Sequence, residues 1–219
     1  MSALTSCFDR GNDDIYEKIA TAIADQGYIV LPSALPDELV TSLFVHFQSL
    51  DRDEFRNAGI GRECDHQLNP FVRNDEICWI DGSHDTTRAY LAWIENLRLA
   101  LNRRLFLGLF DYECEYAYYP EGAFYKKHKD AFHGNTNRIL SLVLYLNPNW
   151  MPGDGGELQL YDREGETVIE NITPMFGKLV IFLSEDFPHE VCRTNKPRRS
   201  ITGWFRINNS NTISADPPR

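Results

Sequence analysis

The chain changes texture at Tyr112, and that change limits the folds open to it. Before Tyr112, apolar residues recur every three or four positions, as on one face of a helix. After it come short runs of β-branched and aromatic residues, cut at intervals by Pro, Gly, Asn and Asp. The pattern predicts strands at Tyr112–Tyr119, Ile139–Leu146, Glu157–Tyr161, Thr167–Ile172, Lys178–Leu183, Glu190–Arg193 and Ser200–Ile207. Turns lie between them at Pro120-Glu121-Gly122, Pro152 to Gly156, Phe176-Gly177 and Asn195-Lys196-Pro197. Many short strands at fairly even spacing close into a sandwich or barrel. Helices that precede such a half are expected to pack on one outer face of it, so the fold class is α+β.

The helical half resolves into three segments. Asn12 or Asp13 is a candidate cap for a helix with Ile15, Ile19 and Ile23 on its apolar side, stopped by Gly27. A short strand, Tyr28 to Leu31, follows. Pro36 suits the first turn of a second helix bearing Leu39, Leu43, Phe47 and Leu50. A third helix is expected from Thr86 or Thr87, with the stripe Tyr90, Ile94, Leu97, Leu101 and Leu105. Between the second and third lies Asp53 to Asp75, a long stretch without periodicity, of the kind that is functional or disordered in compact domains. Ile77 to Ile80 reads as a strand closed by the Asp81-Gly82 turn.

Composition narrows the setting. The 219 residues suit a single domain, helical over about 1–110 and β-rich over about 111–207. No apolar run is long enough to span a membrane, and the first ten residues lack the apolar stretch of a signal peptide. Five cysteines, odd in number and without CxxC spacing, fit reduced thiols in a cytoplasm better than disulfides or a zinc clip. The charge balance, 22 − 32 = −10, repels phosphate backbones. The one basic cluster is Arg193, Lys196, Arg198 and Arg199. Neither nucleic acid nor a membrane is an expected partner.

The residues that carry chemistry are few. His128 and Asp130 lie two apart, so in extended chain both side chains reach one face and one metal ion. His189, after Phe187-Pro188, is the best third ligand. Two histidines and one carboxylate on one side of an octahedron leave positions open, the arrangement of non-haem Fe(II) oxygenases. Arg198 follows His189 by nine residues across the Asn195-Lys196-Pro197 turn, and is expected to open a strand antiparallel to the one holding His189. Arg198, Ser200 and Thr202 then share a face. A guanidinium pointing inward demands an anion, and the C5 carboxylate of 2-oxoglutarate is a fitting one. His66, His84 and His133 have no partner at ligand spacing and are expected in solvent; Cys192 is expected to be inert.

Several short motifs occur in one order: Tyr119-Pro120, His128-Lys129-Asp130, Leu144-Tyr145-Leu146-Asn147, Gly155-Gly156-Glu157-Leu158, His189-Glu190-Val191 and Arg198 through Trp204. The series resembles the prolyl 4-hydroxylases among the 2-oxoglutarate/Fe(II)-dependent oxygenases. Its nearest look is to the oxygen-sensing prolyl hydroxylases acting on hypoxia-inducible factor, and to their bacterial relatives. The resemblance covers about residues 55 to 207.

It implies a double-stranded β-helix core, jelly-roll or cupin-like, with the N-terminal helices packed on one sheet. It implies iron on His128, Asp130 and His189, and 2-oxoglutarate held by Arg198 and Tyr145 in a pocket completed by Tyr119, Thr202 and Trp204. Tyr125 would sit near the iron, and Arg73, Asp75 and Arg138 would face a protein substrate beneath the loop Asp53–Asp75. The cofactor set is Fe(II), 2-oxoglutarate and O₂, with ascorbate as a stimulant. The implied reaction is hydroxylation of a prolyl C4 in a cytosolic protein that presents the proline in a loop; bacterial relatives make elongation factor Tu the partner to test. Arg199 and the stretch Asp53–Pro70 depart from the family pattern, which bears on the substrate rather than the iron chemistry. The competing readings are a nucleic-acid demethylase of the same superfamily, a binding module for 2-oxoglutarate or a peptide without turnover, and a cupin-type zinc hydrolase.

Overall fold

The computed structural model describes residues 5–59, 71–131 and 137–208, with side chains from residue 13 onward. Three helices, α1 (Thr5–Asp25), α2 (Asp37–Ser49) and α3 (Asp85–Leu105), interleave with β1 (Tyr28–Leu31), β2 (Arg56–Asn57) and β3 (Glu76–Trp79). Eight strands follow: β4 (Asp111–Tyr119), β5 (Tyr125–His128), β6 (Arg138–Tyr145), β7 (Leu158–Tyr161), β8 (Val168–Ile172), β9 (Leu179–Leu183), β10 (His189–Val191) and β11 (Arg198–Arg206). They form a seven-stranded sheet, β1-β9-β6-β11-β4-β3-β2, and a four-stranded one, β5-β10-β7-β8, all pairs antiparallel. This is the double-stranded β-helix expected from the motifs.

Alternation along the large sheet creates two cores. On β6, Leu140, Leu142 and Leu144 turn outward to the helices while Val143 and Tyr145 turn between the sheets. Outward residues join Ile19, Ile23, Leu43, Phe47, Tyr90, Ile94, Leu97 and Leu101 from the helices. The inward core holds Ala117, Tyr119, Leu160, Val180, Phe182 and Val191. Fully burying each Leu or Phe contributes about 1.5–3 kcal/mol, and truncating Leu142 to Ala would cost about 2–5 kcal/mol.

Helix ends differ from expectation in instructive ways. α1 begins at Thr5, before the Asn12 and Asp13 caps, and runs through Gly11; an interior glycine costs only about 1 kcal/mol, too little to stop a helix. α3 begins at Asp85 because His84 caps it: its Nδ1 accepts a hydrogen bond from the Thr86 amide. His84 is exposed as expected, yet its ring lies 4.2 Å from that of His46. His66 and His133 lie outside the described residues.

Two further differences concern the site. Part of the long loop is ordered: a 3-10 turn at Arg52–Glu54 leads into β2, which pairs with β3. Residues 60–70 of that loop lie outside the described residues. Secondly, β11 does not pair with β10; it pairs with β4 and β6 in the large sheet, while β10 pairs with β5 and β7 in the small one. The Asn195-Lys196-Pro197 turn therefore carries the chain from one sheet to the other, so His189 and Arg198 stand on facing walls.

Candidate active site

Strand register brings the metal-type ligands together. His189 on β10 is the direct cross-strand partner of His128, the last residue of β5. Directly opposed residues on antiparallel strands stand close enough for their side chains to touch, and the two imidazole centroids are 4.3 Å apart. Asp130 lies just past the strand end, with its oxygens 3.6 Å from His128 Nε2 and 3.6 Å from His189 Nε2. One ligand atom from each of the three lies within 4.8 Å of the others.

Neighbours orient each of them. His128 Nδ1 is 2.8 Å from the Lys126 carbonyl and His189 Nδ1 is 3.1 Å from the Phe187 carbonyl. With protons on those Nδ1 atoms donating to the carbonyls, both Nε2 lone pairs point to the common centre. Burial, helped by His128, pushes His189 down to about 4, so its imidazole is neutral at physiological pH. Burial alone would raise the Asp130 pKa; His189 and His128 outweigh it and hold the carboxyl well below the usual range. Ser141 Oγ donates to Asp130 Oδ2 at 2.6 Å and meets Ser184 Oγ at 2.9 Å. Tyr125 stacks on the His128 ring at 3.5 Å.

These ligands open onto a cavity of about 490 Å³ between the sheets. Register dictates its large-sheet wall: on β11, Arg198 faces Tyr119, Thr202 faces Glu115 and Trp204 faces Glu113 across to β4. Arg198 is 2% exposed, donates from Nε to the Gly156 carbonyl at 2.9 Å and reaches Ser200 Oγ at 3.4 Å. Gly156 has φ 69, a left-handed conformation favouring glycine, and a Cβ there would press Arg198 Cδ at 3.1 Å. Among the described residues no carboxylate pairs with Arg198. Its guanidinium lies 4.8 Å from the Tyr119 ring and 5.0 Å from that of Tyr145. The Tyr145 hydroxyl is buried beside the Arg198 guanidinium and makes no well-formed hydrogen bond among the described residues; burial pushes its pKa up to about 12, with Arg198 opposing.

A charged rim borders that wall. Arg73 grips Asp75 through Nε at 2.8 Å and Nη2 at 2.6 Å, and lies 4.4 Å over the Tyr125 ring. Arg138 pairs with Glu113 at 2.8 Å and lies 3.5 Å over Trp204. Of the candidate metal-, cosubstrate- and substrate-binding residues, all line this cavity except Tyr145, whose ring lies 5.0 Å from the Arg198 guanidinium. Arg198 also breaks up the basic cluster: Lys196 pairs with Asp154 at 2.5 Å, and Arg193 turns to the Gly122 carbonyl and the Phe124 ring.

Sequence reasoning passed over Ser141 and Glu115. The signal for Glu115 was present: Asp111, Glu113 and Glu115 put three acids on one face of an otherwise apolar strand. Burial raises the Glu115 carboxyl to about 8, despite Arg73 and Arg138 pulling it down.

A prolyl-4-hydroxylase of Pseudomonas putida, of known crystal structure, superposes with a TM-score of 0.79 at 39% identity, covering 88% of this chain and 98% of that one. This chain belongs to the prolyl 4-hydroxylase family of 2-oxoglutarate- and Fe(II)-dependent oxygenases. The profile of the 2OG-Fe(II) oxygenase superfamily matches residues 114–206 of this family member. A Trichoplax adhaerens prolyl hydroxylase, solved with a hypoxia-inducible factor peptide, superposes with a TM-score of 0.76 at 28% identity, over 90% of this chain and 91% of that one. Human prolyl hydroxylase EGLN3 is 32% identical over 142 residues, 61% of this chain but only 59% of EGLN3. The family's cofactors are Fe(II), 2-oxoglutarate and O₂, and the residues here suit them: two imidazole nitrogens and one carboxylate for the metal, a buried cation beside a buried hydroxyl for a carboxylate.

Proposed function

We propose that this protein hydroxylates C4 of a prolyl residue in another protein, consuming 2-oxoglutarate and O₂ at an Fe(II) centre. The observation that carries the reading is the presence, in one cavity, of the His128, Asp130 and His189 cluster and of Arg198, a buried cation with no carboxylate partner among the described residues. A buried guanidinium is costly to leave unpaired, so the site is built for an incoming anion.

In this reading His128, Asp130 and His189 hold the metal. Arg198 binds the C5 carboxylate of 2-oxoglutarate, and the Tyr145 hydroxyl donates to the same carboxylate. Tyr119, Thr202 and Trp204 wall the cosubstrate pocket and keep water out. Tyr125, Arg73, Asp75 and Arg138 meet the protein substrate at the rim. Iron and cosubstrate, when bound, supply the oxidising power that attacks an unactivated C–H bond; the chain supplies ligand geometry, orientation and dryness. Residues 1–219 act as one catalytic unit, with the helices bracing the sheet that carries Arg198. Elongation factor Tu is the substrate to assay first, on the resemblance to bacterial relatives. A cytosolic setting accords with the described residues, in which no helix is long and apolar enough to cross a membrane.

The test adds Fe(II) and 2-oxoglutarate to metal-free protein without oxygen, then admits air with elongation factor Tu or prolyl peptides. A visible charge-transfer band requiring both additions, followed by succinate and a substrate heavier by one oxygen atom on proline, supports the reading. A band without any succinate would leave a binding module; the absence of both would return the cluster to zinc chemistry.

A further inference from the structure

Two arginines of the cavity wall, Arg73 and Arg138, stand near Glu115. Asp75 is taken by Arg73, and Glu113 by Arg138. Glu115 is 3% exposed and lines the same cavity as the metal-type ligands, yet makes no hydrogen bond and no contact ion pair among the described residues. Register fixes its place: on β4 it lies between Trp79 of β3 and Thr202 of β11. A carboxyl that lines the cavity and makes no hydrogen bond among the described residues is placed to meet a group that arrives with the substrate.

The protonation state determines what that partner is. Arg73 and Asp75 face Glu115 from the segment before β3, Arg138 from β6 and Glu113 from its own strand; Arg56 and Lys129 line the same cavity further round. The two nearer arginines are neutralised by their own acids, so burial prevails and the carboxyl stays protonated up to about pH 8. A neutral carboxylic acid has one O–H to give. The X–Pro bond has no N–H, so the peptide bonds on either side of a prolyl ring present carbonyl acceptors and, on the proline itself, no donor.

Resting on the prolyl reading of the site, we propose that Glu115 is a substrate-positioning residue that donates a hydrogen bond from its carboxylic acid to a backbone carbonyl flanking the target proline. Asn or Gln would serve the same purpose, while a carboxylate would repel the acceptor. The residue thereby selects peptides that leave this carbonyl free, and it links peptide affinity to pH.

The experiment measures kcat and KM with a panel of blocked peptides containing one proline each, for wild type, E115Q and E115A, together with the Kd for 2-oxoglutarate in the Fe(II)-loaded protein. The proposal expects E115A to raise peptide KM about tenfold, the loss of one hydrogen bond to a buried acceptor, with the 2-oxoglutarate Kd within about twofold of wild type. E115Q, which retains a donor, stays within about threefold in KM. Wild-type KM climbs as pH passes about 8, and the E115Q profile is flat there. Loss in E115Q equal to that in E115A, or parallel pH profiles, would overturn the donor role and assign Glu115 to a substrate cation instead. Turnover by wild type with unaltered KM in E115A sinks this inference alone; no prolyl turnover by wild type sinks the function and the inference together.

Discussion

Ser141 Oγ donates a hydrogen bond to Asp130 Oδ2 at 2.6 Å, from the inward face of β6 to the segment just beyond β5. That bond ties the carboxylate to the large sheet while the two histidines belong to the small one, so the cluster bridges both walls. Ser184 supports the hydroxyl in turn at 2.9 Å. Outer partners of this kind typically set metal affinity by about 10–100-fold. Ser141→Ala should therefore weaken Fe(II) binding by about that factor without unfolding the protein. Metal titration with a competing chelator would check it, and an unchanged affinity would mean that Asp130 is oriented by its backbone alone.

Arg198 and Tyr145 make a paired prediction. Arg198→Ala should raise the 2-oxoglutarate KM roughly a hundredfold, since a charge-assisted contact with a carboxylate is lost. Arg198→Lys should recover only part, because its ammonium cannot both reach the Gly156 carbonyl and present a fork. Tyr145→Phe should cost about tenfold and change little else, as among the described residues that hydroxyl makes no well-formed hydrogen bond to lose. Initial rates against 2-oxoglutarate concentration separate these outcomes; an Arg198→Ala enzyme with wild-type KM would move the carboxylate anchor elsewhere.

The strands of the β half were legible because their alternation is written in residues such as Leu140, Leu142 and Leu144 against Val143 and Tyr145. β5 was not, since Tyr125-Lys126-Lys127-His128 is a short edge segment with no apolar alternation to betray it. The HxD spacing stood out because extended chain turns both side chains to one face, and Arg198 because an inward guanidinium needs an anion. Which sheet each strand joins could not be read locally: pairing β10 with β11 across a short turn satisfies the same sequence as carrying the chain to the facing sheet. Glu115 escaped attention because an acid in a strand reads as a solvent-facing residue until register turns it inward.

Gly203 shows how closely the helical layer constrains the catalytic strand. It sits on β11 between Thr202 and Trp204, facing the helices, where a Cβ would run into the Tyr112 ring and hydroxyl and approach Cys114 Cβ at 2.8 Å. Tyr112 lies across this gap to bond Tyr90 of α3, hydroxyl to hydroxyl, at 2.8 Å. Gly203→Ala should thus destabilise the fold by about 1–3 kcal/mol through overpacking, lowering Tm by several degrees. Thermal unfolding measures the loss. A neutral result would require β4 and β11 to separate at no cost.

The buried acid gives a stability prediction that needs no substrate. The Glu115 carboxyl is raised from 4.5 to about 8 in the fold. Its stabilising contribution is therefore complete below about pH 4.5, where folded and unfolded states are both protonated. It is lost as pH rises towards about 8, because the unfolded chain releases the proton first. The slope is on the order of 1 kcal/mol per pH unit. Glu115→Gln removes the titration, so the variant should match wild type near pH 4.5 and exceed it by a few kcal/mol near pH 8. Urea unfolding of both metal-free proteins at the two pH values decides the matter. Equal stabilities at pH 8 would show that the carboxylate is accommodated, ionised, by Arg73 and Arg138, and would remove the proton on which its proposed contact with the peptide depends.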